Sequence, residues 1–321
     1  MTGTPTSRDE RDAALLARIG LDSIARRERS RQRRQFAIAL VFMAPALLLV
    51  GGLLLVPVVY NVFYSFTRWH RFSGRDEFAG FDNYTRMLGN PFFQEAFANT
   101  VIWVVASIVF PILIGLALAL FLRNIWLENV FKNIIFIPRI LAPTAVGVIW
   151  YYVYAPDGLL NSSLTFITGN PVDIGWLYQD GTVTPAIIAT FVWQTVGLVM
   201  VLLLLGLSAI PKDPVEAATV DGASRSQVFR HIILPLLLPT LVMVTILSVL
   251  AGFTVFDLLW VMGITYPGQR TLSLVVYMYF EAFQRGSWAY GSAVAVIIGL
   301  VVLCVTWVQA LLQQRVDRMT R

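Results

Sequence analysis

Six long apolar runs constrain the fold of this chain more than any other feature of its sequence. They cover residues 36–66, 98–122, 134–154, 184–207, 236–262 and 289–312. A hydrocarbon core about 30 Å thick is crossed by a helix of about 20 apolar residues, so each run can form one span. Only 13% of the residues are charged, against about 25% in an average soluble domain. We therefore predict an all-α fold, a polytopic membrane bundle of about six transmembrane helices.

The first run follows an arginine-rich segment and is too long for the apolar part of a signal peptide. No small-residue cleavage pattern follows it, so we expect it to be a retained span. Residues 1–35 are predicted to be a basic cytoplasmic segment that contacts anionic membrane lipid rather than nucleic acid, because it directly precedes a span. Residues 36–312 would form the transmembrane domain, and residues 313–321 a cytoplasmic tail.

The distribution of lysine and arginine predicts the orientation of the chain. If the amino terminus is cytoplasmic, most of the 24 basic residues fall in inner segments. The outer segments then hold only arginines 68, 71, 75, 86, 270 and 285. Because inner loops of membrane proteins are enriched in positive charge, this asymmetry predicts that both termini are cytoplasmic. Residues 208–235, between the fourth and fifth runs, would also be cytoplasmic.

A polar stretch inside this loop has the signals of two short helices. Asp213 could be an N-cap residue, with Pro214 at the first helical position and Glu216 at the third, completing a capping box. Gly222 is expected to end this helix in the left-handed conformation. Ser224 and Gln227 repeat the capping pattern, and the second helix would reach Pro235. Capping alone is compatible with an ordinary cytoplasmic helical loop.

The spacing of the same stretch is more specific. It reads EAA, three residues, Gly, nine residues and then Ile-x-Leu-Pro, beginning at Glu216 and ending at Pro235. This pattern resembles the EAA signature of permease subunits of binding-protein-dependent, ATP-driven importers. The stretch from Phe78 to Tyr84 is similar to the first outer loop of the sugar permeases in that family. The maltose-type permeases are the group that the chain resembles, from about Phe36 onward.

The resemblance implies partners and a role for the loop. In that family the EAA segment is a coupling helix that docks on an ATPase subunit, and its Glu faces a basic residue there. The partners implied are a second permease subunit, two ATPase subunits and an extracytoplasmic solute-binding protein. The residues implied in coupling are Glu216, Ala217, Ala218, Gly222 and Phe229.

The sequence provides no site for catalysis on this chain. It contains no G-x-x-x-x-G-K-[ST] phosphate loop, so no cofactor is expected here, and ATP and Mg would bind to the partner ATPase subunits. It also lacks the G-x-S-x-G pattern of serine hydrolases. His70 and His231 are far apart in sequence with no neighbouring ligand cluster, so no metal site is predicted.

Polar and aromatic residues inside the apolar runs are candidates for the substrate path. A sugar needs partners for its hydroxyls and an aromatic face, whereas Thr, Ser and Trp also serve in helix packing. Asp257 is expected to face a cavity or a partner because a charge is costly at membrane depth. Arg139 could either extend to the inner interface or face the path, and the latter would favour an anionic solute. The candidates are Thr144, Trp193, Gln194, Thr195, Ser248, Thr254 and Asp257.

These features predict the permease subunit of an ABC importer that moves a di- or oligosaccharide inward by alternating access, in a bacterial cell (inner) membrane. One alternative is an importer of an anionic solute such as glycerol phosphate. A second is an ion-coupled secondary transporter. Such a protein is expected to have several intramembrane acids or broken-helix repeats, and Asp257 alone gives little support. A third, a membrane-anchored nucleic-acid-binding or scaffold protein, leaves most of the spans unexplained.

Overall fold

The computed structural model describes residues 31, 34–72, 74, 77–123, 125–179, 181–263 and 271–319, with side chains up to residue 315. These residues are almost entirely helical, with one isolated antiparallel bridge between Thr67 and Phe78. In chain order the helices are α1 Arg34–Tyr64, α2 Asp82–Leu88, α3 Pro91–Leu122, α4 Glu128–Ile140, α5 Pro143–Val153, α6 Leu159–Thr168, α7 Val183–Ser208, α8 Lys212–Val220, α9 Arg225–Val228, α10 Leu234–Thr254, α11 Asp257–Met262, α12 Leu274–Tyr279 and α13 Trp288–Met319.

Five stretches of helix in the described part of the chain are long and apolar enough to cross a membrane. They are Arg34–Tyr64, Pro91–Leu122, Val183–Ser208, Arg225–Met262 and Trp288–Arg315. These correspond to five of the six apolar runs. The remaining run is divided between α4 and α5, which together raise the number of candidate spans to six.

The third predicted span, over residues 134–154, is not one continuous helix. Helices α4 and α5 meet at an angle of 98°, and the two residues between them, Leu141 and Ala142, are extended, with ψ angles of 141° and 135°. Pro143 explains this break, because proline removes a backbone donor and drives the preceding residue out of the helical region. The same proline then begins α5, at a position where its missing N–H is not needed.

Small residues bring the long helices of residues 61–321 close together. A Cβ on Gly252 of α10 would lie 2.9 Å from the Cα of Val104 on α3, and one on Gly115 of α3 would lie 3.1 Å from the backbone nitrogen of Met200 on α7. A Cβ on Gly197 would collide with the backbone carbonyl of Ile135 on α4. Helices in membranes associate through such close backbone contacts, because lipid provides little hydrophobic drive for association.

Two apolar clusters hold this unit together. The first cluster joins α3, α7, α11, α12 and α13, and includes the fully buried Trp103, Ile187 and Leu258. The second cluster lies at the end of α3 and α7 that precedes the polar loop, and includes Leu207 and Leu237. Helix α8 therefore projects from a packed end of the bundle. Of the predicted amino-terminal segment, residues 1–35, the structure describes only residues 31, 34 and 35, whereas α13 extends through residues 313–319 of the predicted tail.

Candidate functional site

Helix α8 presents an exposed polar surface at the end of the bundle. Glu216 and Ala217 are exposed, whereas Ala218 is half-buried. Val215, one residue before Glu216, packs against the second apolar cluster. Val215 thus seats α8 on the bundle, while Glu216 and the small side chain of Ala217 remain at its exposed surface. Another protein surface can approach this backbone closely.

The predicted capping box of Asp213 and Glu216 is wrong. Helix α8 begins two residues earlier, with Pro211 at the N-cap position and no side-chain hydrogen bond there. Asp213 is consequently the second helical residue and Glu216 the fifth, too far along for a capping role. Asp213 still lies in the positive first turn, where a carboxylate is favourable. Glu216 is left with no role in starting its own helix.

Gly222 ends α8 as predicted. Its φ angle is +82°, a region that residues with a Cβ adopt only with strain. The amide of Gly222 donates to the carbonyl of Thr219 at 3.1 Å, and the amide of Ala223 donates to the carbonyl of Ala218 at 3.0 Å. These two bonds form a Schellman motif, which closes the helix and reverses the chain.

The second helix of the loop is capped as predicted but does not stop at Pro235. Ser224 accepts from the Gln227 amide, and the Gln227 side chain accepts from the Ser224 amide at 2.8 Å, so the capping box is present. A π turn, Phe229–Ile233, then carries the helix directly into α10. The wider π turn leaves room for the ring of Pro235, which in a regular helix interior would clash with the carbonyl four residues earlier. The loop is therefore rigidly continuous with a membrane span, and Phe229 is half-buried within it.

The break between α4 and α5 is bridged by a predicted path residue. The side-chain amide of Gln194 on α7 donates to the carbonyl of Leu141 at 3.2 Å, and Gln194 is buried. A carbonyl released by a helix break needs such a partner in a membrane. The neighbouring Trp193 is partly exposed and meets Trp150 of α5 edge to face, with 5.4 Å between ring centroids.

Asp257 and Thr144 come together although 113 residues separate them. The Thr144 hydroxyl donates to the Asp257 carboxylate at 3.2 Å, and both residues are exposed at the surface of this chain. Asp257 begins α11, directly after a short interruption of the helix at residues 255 and 256. Thr254, just before that interruption, donates to the Leu250 carbonyl of its own helix at 2.8 Å. The structure thus brings two of the predicted path residues into contact.

Thr195 and Ser248 line a cavity of about 120 Å³ between α3, α4, α7 and α10. Both residues are buried in this chain, and the Thr195 hydroxyl donates to the Phe191 carbonyl of α7 at 2.8 Å. The Ser248 carbonyl accepts from the Ser107 hydroxyl at 2.9 Å. Arg139 lines the same cavity. The first of these hydrogen bonds lies within α7 and the second joins α3 to α10, and a role of either residue in solute contact stays a prediction.

The sequence analysis missed a polar cluster near the end of the bundle opposite the polar loop. Glu281 is buried, and Arg285 donates to its carboxylate at 2.7 Å. The hydroxyls of Tyr277 and Tyr290 share a hydrogen bond of 2.8 Å. Burial raises the pKa of the Glu281 carboxyl, although the nearby guanidinium groups of Arg285 and Arg86 oppose that rise. The sequence did offer one signal for this ion pair, a Glu and an Arg four residues apart, because side chains at that spacing meet on one face of a helix.

Two side chains at the start of α3 tie the chain before α12 to the bundle. Asn99 donates to the Leu272 carbonyl at 3.1 Å, and the Thr100 hydroxyl accepts from the Leu274 amide at 2.9 Å. These bonds compensate backbone groups in a segment where the chain is not helical. They hold α12 against α3 and thereby position the polar cluster around Glu281.

Comparison with known proteins gives one family. The model of the family described as "Binding-protein-dependent transport system inner membrane component" matches residues 111–318. A probable ABC transporter permease protein of Pyrococcus horikoshii is 32% identical, over 83% of this chain and 92% of its own length. The multiple sugar-binding transport system permease protein of Streptococcus mutans is 32% identical, over 81% and 90%. The arabinooligosaccharides transport system permease protein of Bacillus subtilis is 31% identical, over 83% and 85%.

Solved structures agree in fold. The chain superimposes with a TM-score of 0.77 on a chain of a bacterial ABC transporter involved in the import of the acidic polysaccharide alginate. The match covers 90% of this chain and 99% of the other, at 19% identity. A second structure of an alginate ABC transporter, in complex with an alginate pentasaccharide-bound periplasmic protein, gives a TM-score of 0.76 over 91% and 98%.

Proposed function

This chain belongs to the family of binding-protein-dependent transport system inner membrane components, and on that premise we propose that it carries a di- or oligosaccharide into the cell. It is a multi-pass membrane permease subunit of an ABC transporter, a transport component rather than an enzyme. Relatives named for multiple sugars and for arabinooligosaccharides support a carbohydrate cargo. Family membership also argues against the ion-coupled alternative.

The proposed assembly has a second permease subunit, two ATPase subunits and an extracytoplasmic solute-binding protein. The alginate transporter bound to its periplasmic protein supports the last of these partners. ATP and Mg would bind to the ATPase subunits, since the sequence has no phosphate loop. In a bacterial cell membrane with both termini cytoplasmic, the end of the bundle that bears α8 would face those subunits.

The observation that carries the coupling role is the geometry of α8. Val215 seats the helix on the bundle, while Glu216 and Ala217 remain exposed. The turn at Gly222 then joins α8 to a helix that continues into the membrane. A displacement of α8 by an ATPase subunit would therefore be transmitted to α10 without a flexible joint. Alternating access needs such a rigid connection between a nucleotide-driven contact and the spans.

Glu216 is proposed to pair with a basic residue of the ATPase subunit. Because Glu216 has no capping role in α8, Glu216→Gln removes charge without removing a local hydrogen bond. Truncating a charge pair at a partly buried interface costs about 2–5 kcal/mol. We expect the variant complex to reach the membrane and to lose the coupling of solute uptake to ATP hydrolysis.

The test is ATPase activity and uptake in vesicles reconstituted with the whole transporter and its solute-binding protein. Asp213→Asn is the matched control, since it removes a negative charge from the same helix three residues earlier. Gly222→Pro should uncouple transport as well, because its φ near −65° excludes the observed turn, whereas Gly222→Asn tolerates a left-handed backbone. Wild-type uptake and ATPase stimulation in both Glu216→Gln and Gly222→Pro would refute the proposal.

A further inference from the structure

Arg139 occupies an unusual position for a charged residue. It lies in the last turn of α4, directly before the break at Leu141. Helix α4 packs against α7 and also contacts α3, and Arg139 lines the cavity that these helices enclose with α10. The residue is therefore placed beside Thr195 and Ser248, two of the polar residues predicted to lie at membrane depth.

The charge of Arg139 is not neutralised within the part of the chain that the structure describes. The ion pairs there join other residues, Arg68 with Asp82, Lys132 with Glu128 and Arg285 with Glu281. The nearest groups in the cavity are hydroxyls and apolar side chains. Charged residues inside a membrane almost always face the protein interior or a water-filled cavity and pair with another group. Arg139 is therefore available to an anionic group that lies outside these residues.

The chemistry of the cavity indicates what that group is. A guanidinium presents a planar fork of donors that matches a carboxylate in two-point contact. The Arg139 side chain is exposed at the surface of this chain and also lines the cavity. Ser248 and Thr195 also line this cavity, and their hydroxyls can bond to polar groups that accompany the anion. A site of this kind distinguishes an acidic sugar from a neutral one.

We infer that Arg139 is a specificity-determining residue that binds the acidic group of the solute, and that the solute is a carbohydrate bearing a carboxylate or a sulfonate. This inference rests on the proposed function, because it places the solute path along the cavity. It is distinguishable from that function: loss of coupling in Glu216→Gln tests the permease role, whereas the experiments below test only the charge of the path.

The first experiment measures the electrostatic potential at the cavity. Leu247 lines the cavity and is 42% exposed, so Leu247→Cys reports on it, in a background where the only cysteine is removed by Cys304→Ser. The whole transporter in vesicles is treated with the anionic sulfonatoethyl and the cationic trimethylammonioethyl methanethiosulfonate. The ratio of the two reaction rates, divided by the ratio for a free thiol, measures the local preference for anions.

A positive charge within about 8 Å should raise this ratio by about fivefold. We expect this higher ratio in the protein that has Arg139. The ratio should fall in Arg139→Gln and stay high in Arg139→Lys. An unchanged ratio in Arg139→Gln would overturn the inference. A Leu247→Cys thiol that reacts with neither reagent, with or without ATP, would overturn it too, since the cavity would then lie outside the water-filled path. A carboxylate of the second permease that neutralises Arg139 would give that same flat ratio.

The second experiment tests the class of solute. The melting temperature of the cognate solute-binding protein is measured with matched oligosaccharides in neutral, uronate and sulfonate forms. We expect an acidic form to raise the melting temperature of the solute-binding protein by several degrees. Uptake of that acidic form by the transporter should then be lost in Arg139→Gln and kept in Arg139→Lys. Stabilisation by neutral forms alone, or by none of the three, would show that the acidic assignment is wrong.

Discussion

The side-chain amide of Gln194 on α7 donates to the backbone carbonyl of Leu141 at 3.2 Å, across the break between α4 and α5. The bond joins a continuous span to a broken one at the point where the broken one loses its own hydrogen bonds. It therefore stabilises the bend through tertiary contact. In water a released carbonyl would be hydrated, but at membrane depth a protein donor is needed.

Replacing Gln194 by Leu should destabilise the bend. The variant keeps the side-chain volume but leaves the Leu141 carbonyl without its donor, and interhelical hydrogen bonds in membranes contribute about 0.6–2 kcal/mol. We expect a lower midpoint of thermal unfolding for the purified transporter. Thr195→Val is the control, because the Thr195 hydroxyl bonds only within its own helix. Equal midpoints for Gln194→Leu and wild type would mean that the bend does not depend on this bond.

Asp257 is expected to affect transport through its charge. Asp257→Asn retains an oxygen that can accept from Thr144 and removes only the negative charge, whereas Thr144→Val removes the bond and retains the charge. If Asp257 lines the solute path, Asp257→Asn should alter uptake while the complex with the ATPase stays intact on a sizing column. Dissociation of that complex would instead make the residue structural, and a loss of uptake in Thr144→Val but not in Asp257→Asn would assign the effect to the bond.

The orientation of the chain can be tested with fused reporters. The excess of lysine and arginine in the predicted inner segments places residue 179 outside and residue 224 in the cytoplasm. A phosphatase reporter fused after Gln179 should therefore be active, and one fused after Ser224 inactive. A fluorescent protein that matures only in the cytoplasm should give the opposite pattern at the two sites. The reverse result at both positions would contradict the six-span topology.

Glu281 should make the stability of the transporter depend on pH. Burial raises the pKa of its carboxyl in the folded state above the unfolded value of about 4.3. The folded state then binds the proton more tightly, so the associated stabilisation is present below about pH 4 and is lost as the pH rises through the folded pKa. Wild type should thus lose thermal stability relative to Glu281→Gln as the pH rises through this range.

The measurement for Glu281 is the thermal unfolding midpoint of both proteins between pH 4 and pH 8. Asp82→Asn serves as the control, because the Asp82 side chain is 67% exposed. Its difference from wild type is compared with that of Glu281→Gln over the same range. A constant difference for Glu281→Gln would show that Arg285 and Arg86 fully offset the effect of burial.

The sequence alone determined the features that depend on local chemistry and on the bilayer. Apolar length predicted the spans because a hydrocarbon core requires about 20 apolar residues in a helix. The end of α8 was predicted at Gly222, and the capping box at Ser224 and Gln227, because these signals act within one or two turns. Even there, the predicted N-cap of α8, Asp213, was two residues from the observed one, Pro211.

Tertiary structure decided the features that depend on packing between distant segments. The break near Pro143 is a large bend because α5 packs against α11 and α4 against α7, while Gln194 bonds to the carbonyl at the break. A proline by itself is compatible with a mild kink. The contact of Thr144 with Asp257, and the place of Arg139 beside Ser248, join residues more than a hundred positions apart. Hydropathy and local spacing contain no information about which helix faces meet, so only the folded chain could bring these side chains together.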